Sequence, residues 1–196
     1  MITVPAATER VLRADAARNR ELVLEAASSL FREHGLDVTM QEIADAAGVG
    51  VGTVSRRFRS KDELIAALVG ARIEHLFDVL EHAVERAAFE PWEAFAEAFE
   101  QVVELHVRDR GFLEAVSERT QCAEACDSRA GEMLALVEQL VGAGIDAGVL
   151  RADLTAQQVP ELACMVSHAG ASVAGPAPSD AWRRACEVVL DGLRAR

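Results

Sequence analysis

Residues 39–64 read TMQEIADAAGVGVGTVSRRFRSKDEL, and a four-residue pattern stands at each end of them. Thr39-Met40-Gln41-Glu42 and Ser60-Lys61-Asp62-Glu63 both have the form of a capping box. In such a box the first hydroxyl takes an amide hydrogen of the first helical turn, and the glutamate reaches back to the cap. The first box opens a short helix, Met40 to Ala47, that stops at Gly48. The second opens a long helix running toward Arg86 through Leu64, Leu68, Ile73, Phe77 and Leu80. Between the two there is room for only one short helix, Val51 to Arg57.

The glycines at 48, 50 and 52 raise the question of a phosphate-binding loop. A dinucleotide fingerprint needs G-x-G-x-x-G directly after a strand. From Gly50 the third glycine falls on Ser55, from Gly48 it falls on Thr53, and the preceding segment is a capped amphipathic helix. Lys61 is not spaced as a P-loop lysine either. No nucleotide cofactor is expected, nor any other.

A helix-turn-helix accounts for every residue of the stretch. Ile43 and Ala47 on one helix, Val49 in the turn, and Val54 and Phe58 on the next form an apolar seam that locks two short helices at a steep angle. Gly48 permits a left-handed turn, and Gly50 and Gly52 leave the second helix's start uncluttered. Val51, Thr53, Ser55, Arg56 and Arg57 then face outward. Free amides, hydroxyls and two arginines suit a phosphate backbone and a major groove. An ordinary hairpin whose arginines face water would show the same pattern.

Helical punctuation continues on both sides. From Asn19 to His34, apolar residues recur at Leu22, Val23, Ala26, Ala27, Leu30 and Phe31, and Gly35 offers a C-terminal cap. Pro91 suits the first turn of a helix carrying Phe95, Phe99 and His106, and a shorter helix is expected over Gly111 to Gln121. Met133, Leu136, Val137 and Leu140 mark another, ending near Gly144 or Gly148. Thr155 to Gln158 is a third capping box, loosened by Pro160, and GPAPS at 175–179 separates that helix from a last one with Trp182, Ala185, Val189 and Leu193. With no alternating strand pattern, the chain reads as all-α, about nine helices.

Charge divides the chain. The net charge over 196 residues is −12. Residues 1–70 hold nine Lys/Arg against ten Asp/Glu, whereas residues 71–196 hold eleven against twenty-two. An acidic total argues against nucleic acid; its confinement to the second part suggests two units with different partners, or simply a solvated acidic surface. The first twenty residues mix both signs without an apolar run, so neither a secretory signal nor a membrane span is expected, and a cytoplasmic location follows. Cys122, Cys126, Cys164 and Cys186 suit a reducing compartment. Cys122 and Cys126 share a helix face and could hold a metal or form a redox pair, but no second ligand pair lies nearby and no metal is expected.

RNRELVLEAASSLFREHGLDVTMQEIADAAGVGVGTVSRRFRSKDELIAAL, residues 18–68, resembles the DNA-binding domain of the TetR family of transcriptional regulators in its Phe31, Gly35, Thr39, IADAAGV, GTV and RRF.SKDEL elements. The resemblance implies three parts: an N-terminal arm over 1–17, a helix-turn-helix domain over 18–66 and a ligand-binding and dimerisation domain over 67–196. It assigns Thr39 and Gln41 to backbone or groove contacts, Gly50 to Arg57 to the recognition helix, and Lys61 to a phosphate. Two departures stand out: Gly50-Val51 replaces the family's usual Ser-Lys, and Ser55 replaces its usual aromatic. Arg56, Arg57 and Arg59 are the substitutes. Arg10, Arg13, Arg18 and Arg20 are available to an arm on DNA or to an idle tail.

By the same analogy the last two helices build a homodimer through Ala163, Ser167, Gly170, Ala171, Ala174, Trp182, Val189 and Leu193, with intrachain packing as the plain alternative. An effector pocket is expected among Phe77, Trp92, Phe95, Phe99, His106, Phe112, Met133 and Met165, with plain core the commoner role for residues of this kind. The implied function is a repressor that holds a palindromic operator as a dimer and is released by a small molecule. A thiol or metal sensor using Cys122 and Cys126, and a constitutive DNA binder without effector, are the alternatives. An enzyme is not expected: His34, His75, His82, His106 and His168 are scattered, and no catalytic arrangement accompanies them.

Overall fold

The computed structural model describes the backbone of residues 6–117, 120–169 and 181–195, and the side chains of 18–108, 129–168 and 181–195. Among them are eight α-helices and one 3-10 turn: α1 Ala6–His34, the turn Gly35–Asp37, α2 Met40–Ala46, α3 Val51–Arg57, α4 Lys61–Ala87, α5 Pro91–Ser117, α6 Thr120–Asp146, α7 Gln158–Ala169 and α8 Ala181–Leu193. The all-helical expectation holds. The chain divides into two compact units, one of residues up to Gly70 with Gly111–Cys122, the other of Ala71–Arg110 with Ala123–Arg196.

Several boundaries differ from the sequence reading; α6, expected from Met133, begins at Thr120. The first helix starts at Ala6, so most of the stretch expected as an arm continues α1. It is rich in Ala, Arg, Leu and Glu and has no Gly or Pro after Ala6 to stop a helix. The helices expected on either side of Gly111 are one helix, α5. A single glycine costs only about 1 kcal/mol in a helix interior, too little to end a long helix held by packing.

In the first unit, α1 packs on α2, and α2 on α3. Val23, Ala27, Phe31, Ile43, Ala44, Val54, Phe58, Leu64, Ile65 and Leu68 are buried. Burial of one such branched or aromatic side chain contributes about 1.5–3 kcal/mol. The turn between α2 and α3 is fixed by a Schellman motif: Gly48 N donates to Asp45 O at 3.2 Å and Val49 N to Ala44 O at 3.0 Å. That geometry places Gly48 at φ +66°, a conformation costing a side-chain-bearing residue roughly 1–2 kcal/mol.

The second unit gathers a single core from α5 (Phe95, Phe99, Val103), α6 (Val137, Leu140, Val141), α7 (Ala163, Val166) and α8 (Trp182, Cys186, Leu190, Leu193). Its third capping box is half formed. Gln158 Oε1 accepts from Thr155 N at 3.0 Å, and α7 begins two residues later than the box suggests, leaving Pro160 in its first turn where no amide is needed. After α8 the chain pairs Arg194 with Leu150 in an antiparallel bridge, with Arg151 N donating to Leu193 O and Ala195 N to Val149 O, both at 3.0 Å.

Candidate functional site

The short helices α2 and α3 keep their apolar sides against the unit's core and turn a polar surface outward. Ile43 and Val54 are fully buried, Phe58 nearly so, while Ala47 and Val49 are half-buried, which is the expected seam. Gly50, Val51, Gly52, Ser55, Arg56 and Arg57 are exposed and Thr53 is half-buried. Gly50 caps α3 without a side-chain bond, and nothing lies within 4 Å of a Cβ built on Gly50 or Gly52. The glycines therefore leave open surface where the helix begins.

At the start of α2 the full capping box is present. Thr39 Oγ1 accepts from Glu42 N at 3.2 Å, and Glu42 Oε2 accepts from both Thr39 N and Thr39 Oγ1 at 2.7 Å. Those bonds, the backbone one first, hold the Glu42 carboxyl below its ordinary pKa. Gln41 Nε2 donates to Asp45 Oδ1 at 2.8 Å. Thr39 and Gln41 are thus exposed as expected, with their donors engaged by the chain's own acids.

The cations differ in availability. Arg56 Nε donates to Gly52 O at 3.0 Å, which lays its guanidinium along α3. The guanidinium groups of Arg57 and Arg59 have no partner among the described residues; Arg59 uses only its backbone N, which donates to Glu63 Oε2 at 2.7 Å. Lys61, expected on a phosphate, is half-buried: its Nζ donates to Leu36 O and stands 5.8 Å from the centroid of the Phe31 ring. Its ammonium ties the turn after α1 to the start of α4.

The second unit contains a cavity of about 870 Å³ walled by α4, α5, α6 and α7. Phe95, Phe99, His106, Met133 and Met165 line it, as expected. Phe77 and Trp92 do not. Leu76 and Leu80 are the α4 residues on the cavity; Phe77 is one position round the helix, with the Arg129 guanidinium 3.8 Å from its ring centroid. Trp92, in the first turn of α5, carries Arg194 over its ring at 3.9 Å in a separate surface groove. The side chain of Phe112 lies outside the described residues. Among the lining residues not named for a pocket from sequence are Val102, Gln157, Val159, Glu161 and Cys164. The spacing Phe95, Phe99, Val102 or Val103, His106 already marks one helical face, and Val102 is the member of that pair on the cavity.

Residues 23–68 match the family described as bacterial regulatory proteins, tetR family, and residues 90–195 match the C-terminal domain described as that of SbtR-like transcriptional regulators. A TetR transcription regulatory protein from Mycobacterium vanbaalenii is similar at 33% identity, over 94% of this chain and 99% of that one, with a TM-score of 0.70. The chain belongs to the TetR family. A TetR transcriptional regulator from Streptomyces coelicolor has 25% identity and a TM-score of 0.71 over 90% of this chain and 98% of that one. An HTH-type transcriptional regulator of Staphylococcus aureus (strain MRSA252) is 36% identical over 76 residues, 37% of this chain. The chain spans less than half the length of the curated relatives it matches, 39% of that one. The TetR family and these relatives are transcriptional regulators, not enzymes.

Several of the residues that the family resemblance implies for a dimer surface on α7 and α8 are engaged within the chain. Ala163, Ser167, Trp182 and Leu193 are buried within this chain, and Val189 is packed against the same core. Small and apolar residues on an amphipathic helix serve whichever core is nearest, and here α7 and α8 pack on each other. Gly170, Ala171 and Ala174 lie outside the described residues, as do the side chains of Cys122 and Cys126. The large apolar side chains that the described parts of the two helices leave exposed are Met165, at 59%, and Val188, at 72%. No described group of three or more His, Cys, Asp or Glu side chains could hold a metal ion, and no described helix is long and apolar enough to cross a membrane.

Proposed function

We propose that this protein is a cytoplasmic, homodimeric repressor that reads a palindromic operator with α3 and releases it when a small molecule occupies the cavity of the second unit. The observation that carries the DNA reading is the outward set Val51, Ser55, Arg56 and Arg57 on a helix whose other side, through Val54, is fully buried. Rigid seating on one side and open donors on the other are what a major-groove reader needs. One seven-residue helix buries too little for specific affinity, so two copies related by a two-fold axis must engage successive half-sites. The outward Met165 and Val188 supply apolar surface for that pairing.

The cavity supports the effector reading because α4 contributes Leu76 and Leu80 to its wall and is the same continuous helix that begins at Lys61. A ligand that displaces those leucines acts on the element that follows the recognition helix. Binding of DNA and of ligand would then oppose one another reciprocally, with a coupling of about 1–3 kcal/mol.

Selection of bound DNA from random sequence tests the reading, run with the natural chain and with Arg56→Ala/Arg57→Ala. The expected result is an enriched palindrome that the double variant fails to select. Absence of a palindrome, or enrichment indifferent to both arginines, would refute it.

A further inference from the structure

The walls of the cavity restrict what can enter it. Its 870 Å³ stands toward the upper end for small-molecule sites, about 300–1,000 Å³. Leu80, Phe95, Ala98, Phe99, Leu140 and Ala163 make an apolar floor, all of them buried. Among the described lining residues none is Lys or Arg, and the one formal charge, Glu161, is on the exposed side of α7. Arg129, beside the lining residue Ala130, is held by Glu74, by Glu132 at 3.6 Å and by the Phe77 ring. An anion entering would lose its water shell without gaining a cation, a cost of several kcal/mol.

One polar group stands on the inner wall. His106 lines the cavity, and its Nδ1 is enclosed with no hydrogen-bond partner among the described residues. Burial, with the neighbouring His168 second, holds its imidazole below the ordinary histidine pKa, so the ring is neutral near pH 7. A neutral ring has one donor and one acceptor nitrogen. A buried N–H without an acceptor is rarer and costlier than an unfilled lone pair, so the proton belongs on Nε2, the ring nitrogen that is not enclosed in this way. A cation would meet that N–H and no lone pair.

The geometry points to an uncharged, largely apolar effector whose carbonyl or hydroxyl oxygen accepts a hydrogen bond from His106. This rests on reading the cavity as the effector site and names the chemistry that site selects.

Calorimetric titration of the full chain with four probes sharing one twelve-carbon tail, each below its micelle concentration, tests it: 2-dodecanone, 1-dodecanol, dodecanoate and dodecyltrimethylammonium. The ketone and alcohol are expected to bind at least about tenfold more tightly than either ion. His106→Phe should weaken the ketone about tenfold and His106→Gln, which keeps a donor, should recover most of the loss. Met133→Trp, which fills the cavity from a half-buried position, should abolish binding of all four with the unfolding temperature retained. Equal or tighter binding of an ion, ketone affinity indifferent to both His106→Phe and Met133→Trp, or no binding of either neutral probe would overturn the proposal. Operator release is measured on the same samples: a ketone that binds through His106 without releasing DNA refutes the effector role and leaves the cavity chemistry standing.

Discussion

Replacement of Lys61 by methionine separates a structural ammonium from a DNA-binding one. The variant keeps most of the aliphatic stem and removes the hydrogen bond to Leu36 O and the charge near the Phe31 ring. A hydrogen bond from a charged group contributes about 1.5–3 kcal/mol and an exposed cation–π contact about 0.5–1 kcal/mol. Because Lys61 is half-buried, water replaces part of both, and the net loss should be about 1–2 kcal/mol. That corresponds to a fall in Tm of about 2–8 °C for a chain of this size. The comparison variant is Arg57→Met, whose side chain is exposed with no described partner; its stability should stay within about 0.5 kcal/mol of the natural chain. The two should also part in DNA binding measured over a range of salt. Arg57→Met is expected to reduce the slope of log K against log salt by roughly 0.9, the share of one phosphate, and Lys61→Met to leave it nearly unchanged. Scanning calorimetry and fluorescence anisotropy provide both readouts. A Lys61→Met variant that melts with the natural chain yet loses a full phosphate from the slope would refute the structural role.

Two further substitutions probe the packing and the cap. A Cβ on Gly144 would lie 2.5 Å from Leu150 Cδ1, and Leu150 is buried, so Gly144→Ala should lower stability by about 1–3 kcal/mol in urea; Gly142→Ala, which meets nothing within 4 Å, should be neutral or stabilising by up to about 1 kcal/mol, and equal midpoints for the two would show that Leu150 has room to move. Glu42 has its pKa lowered by folding, so the stability it contributes is present above its unfolded value of about 4.5 and is lost as pH falls through the lower folded value. Glu42→Gln should therefore be less stable than the natural chain at neutral pH and converge with it in acid, and a gap that stays constant down to pH 2 would contradict this.

The elements that local chemistry decides could be read directly from the residues. The caps at Thr39 and Ser60 and the turn at Gly48 depend on neighbours within four positions, and α2 and α3 end within a residue of where those signals place them. Distant partners were not legible in this way. The resemblance implies a phosphate for Lys61, and only the fold brings Leu36 O, 25 positions earlier, to its ammonium. Leu76 and Phe77 are both apolar and adjacent, so periodicity could not say which faces a cavity and which lies under Arg129. Trp182 and Leu193 lie on the strongly amphipathic face of α8, and an apolar stripe does not declare whether its partner is the same chain or another copy.

Two donors at the start of α2 already have acids of their own: Thr39 has Glu42, and Gln41 has Asp45, whereas the Arg57 and Arg59 guanidinium groups have no described partner. Each contact with an operator through Thr39 or Gln41 is then an exchange of one bond for another, and residues 1–70 carry a net charge of about −1. Random chromosomal DNA offers phosphates but no matched base edges, which gives it little with which to displace those internal bonds. Under the operator-binding reading, Thr39 and Gln41 add discrimination more than general adhesion, and the hold on random DNA falls to Arg57 and Arg59. Fewer phosphate contacts on random DNA shorten each stay there, so occupancy of the operator is less diluted by the excess of competing DNA.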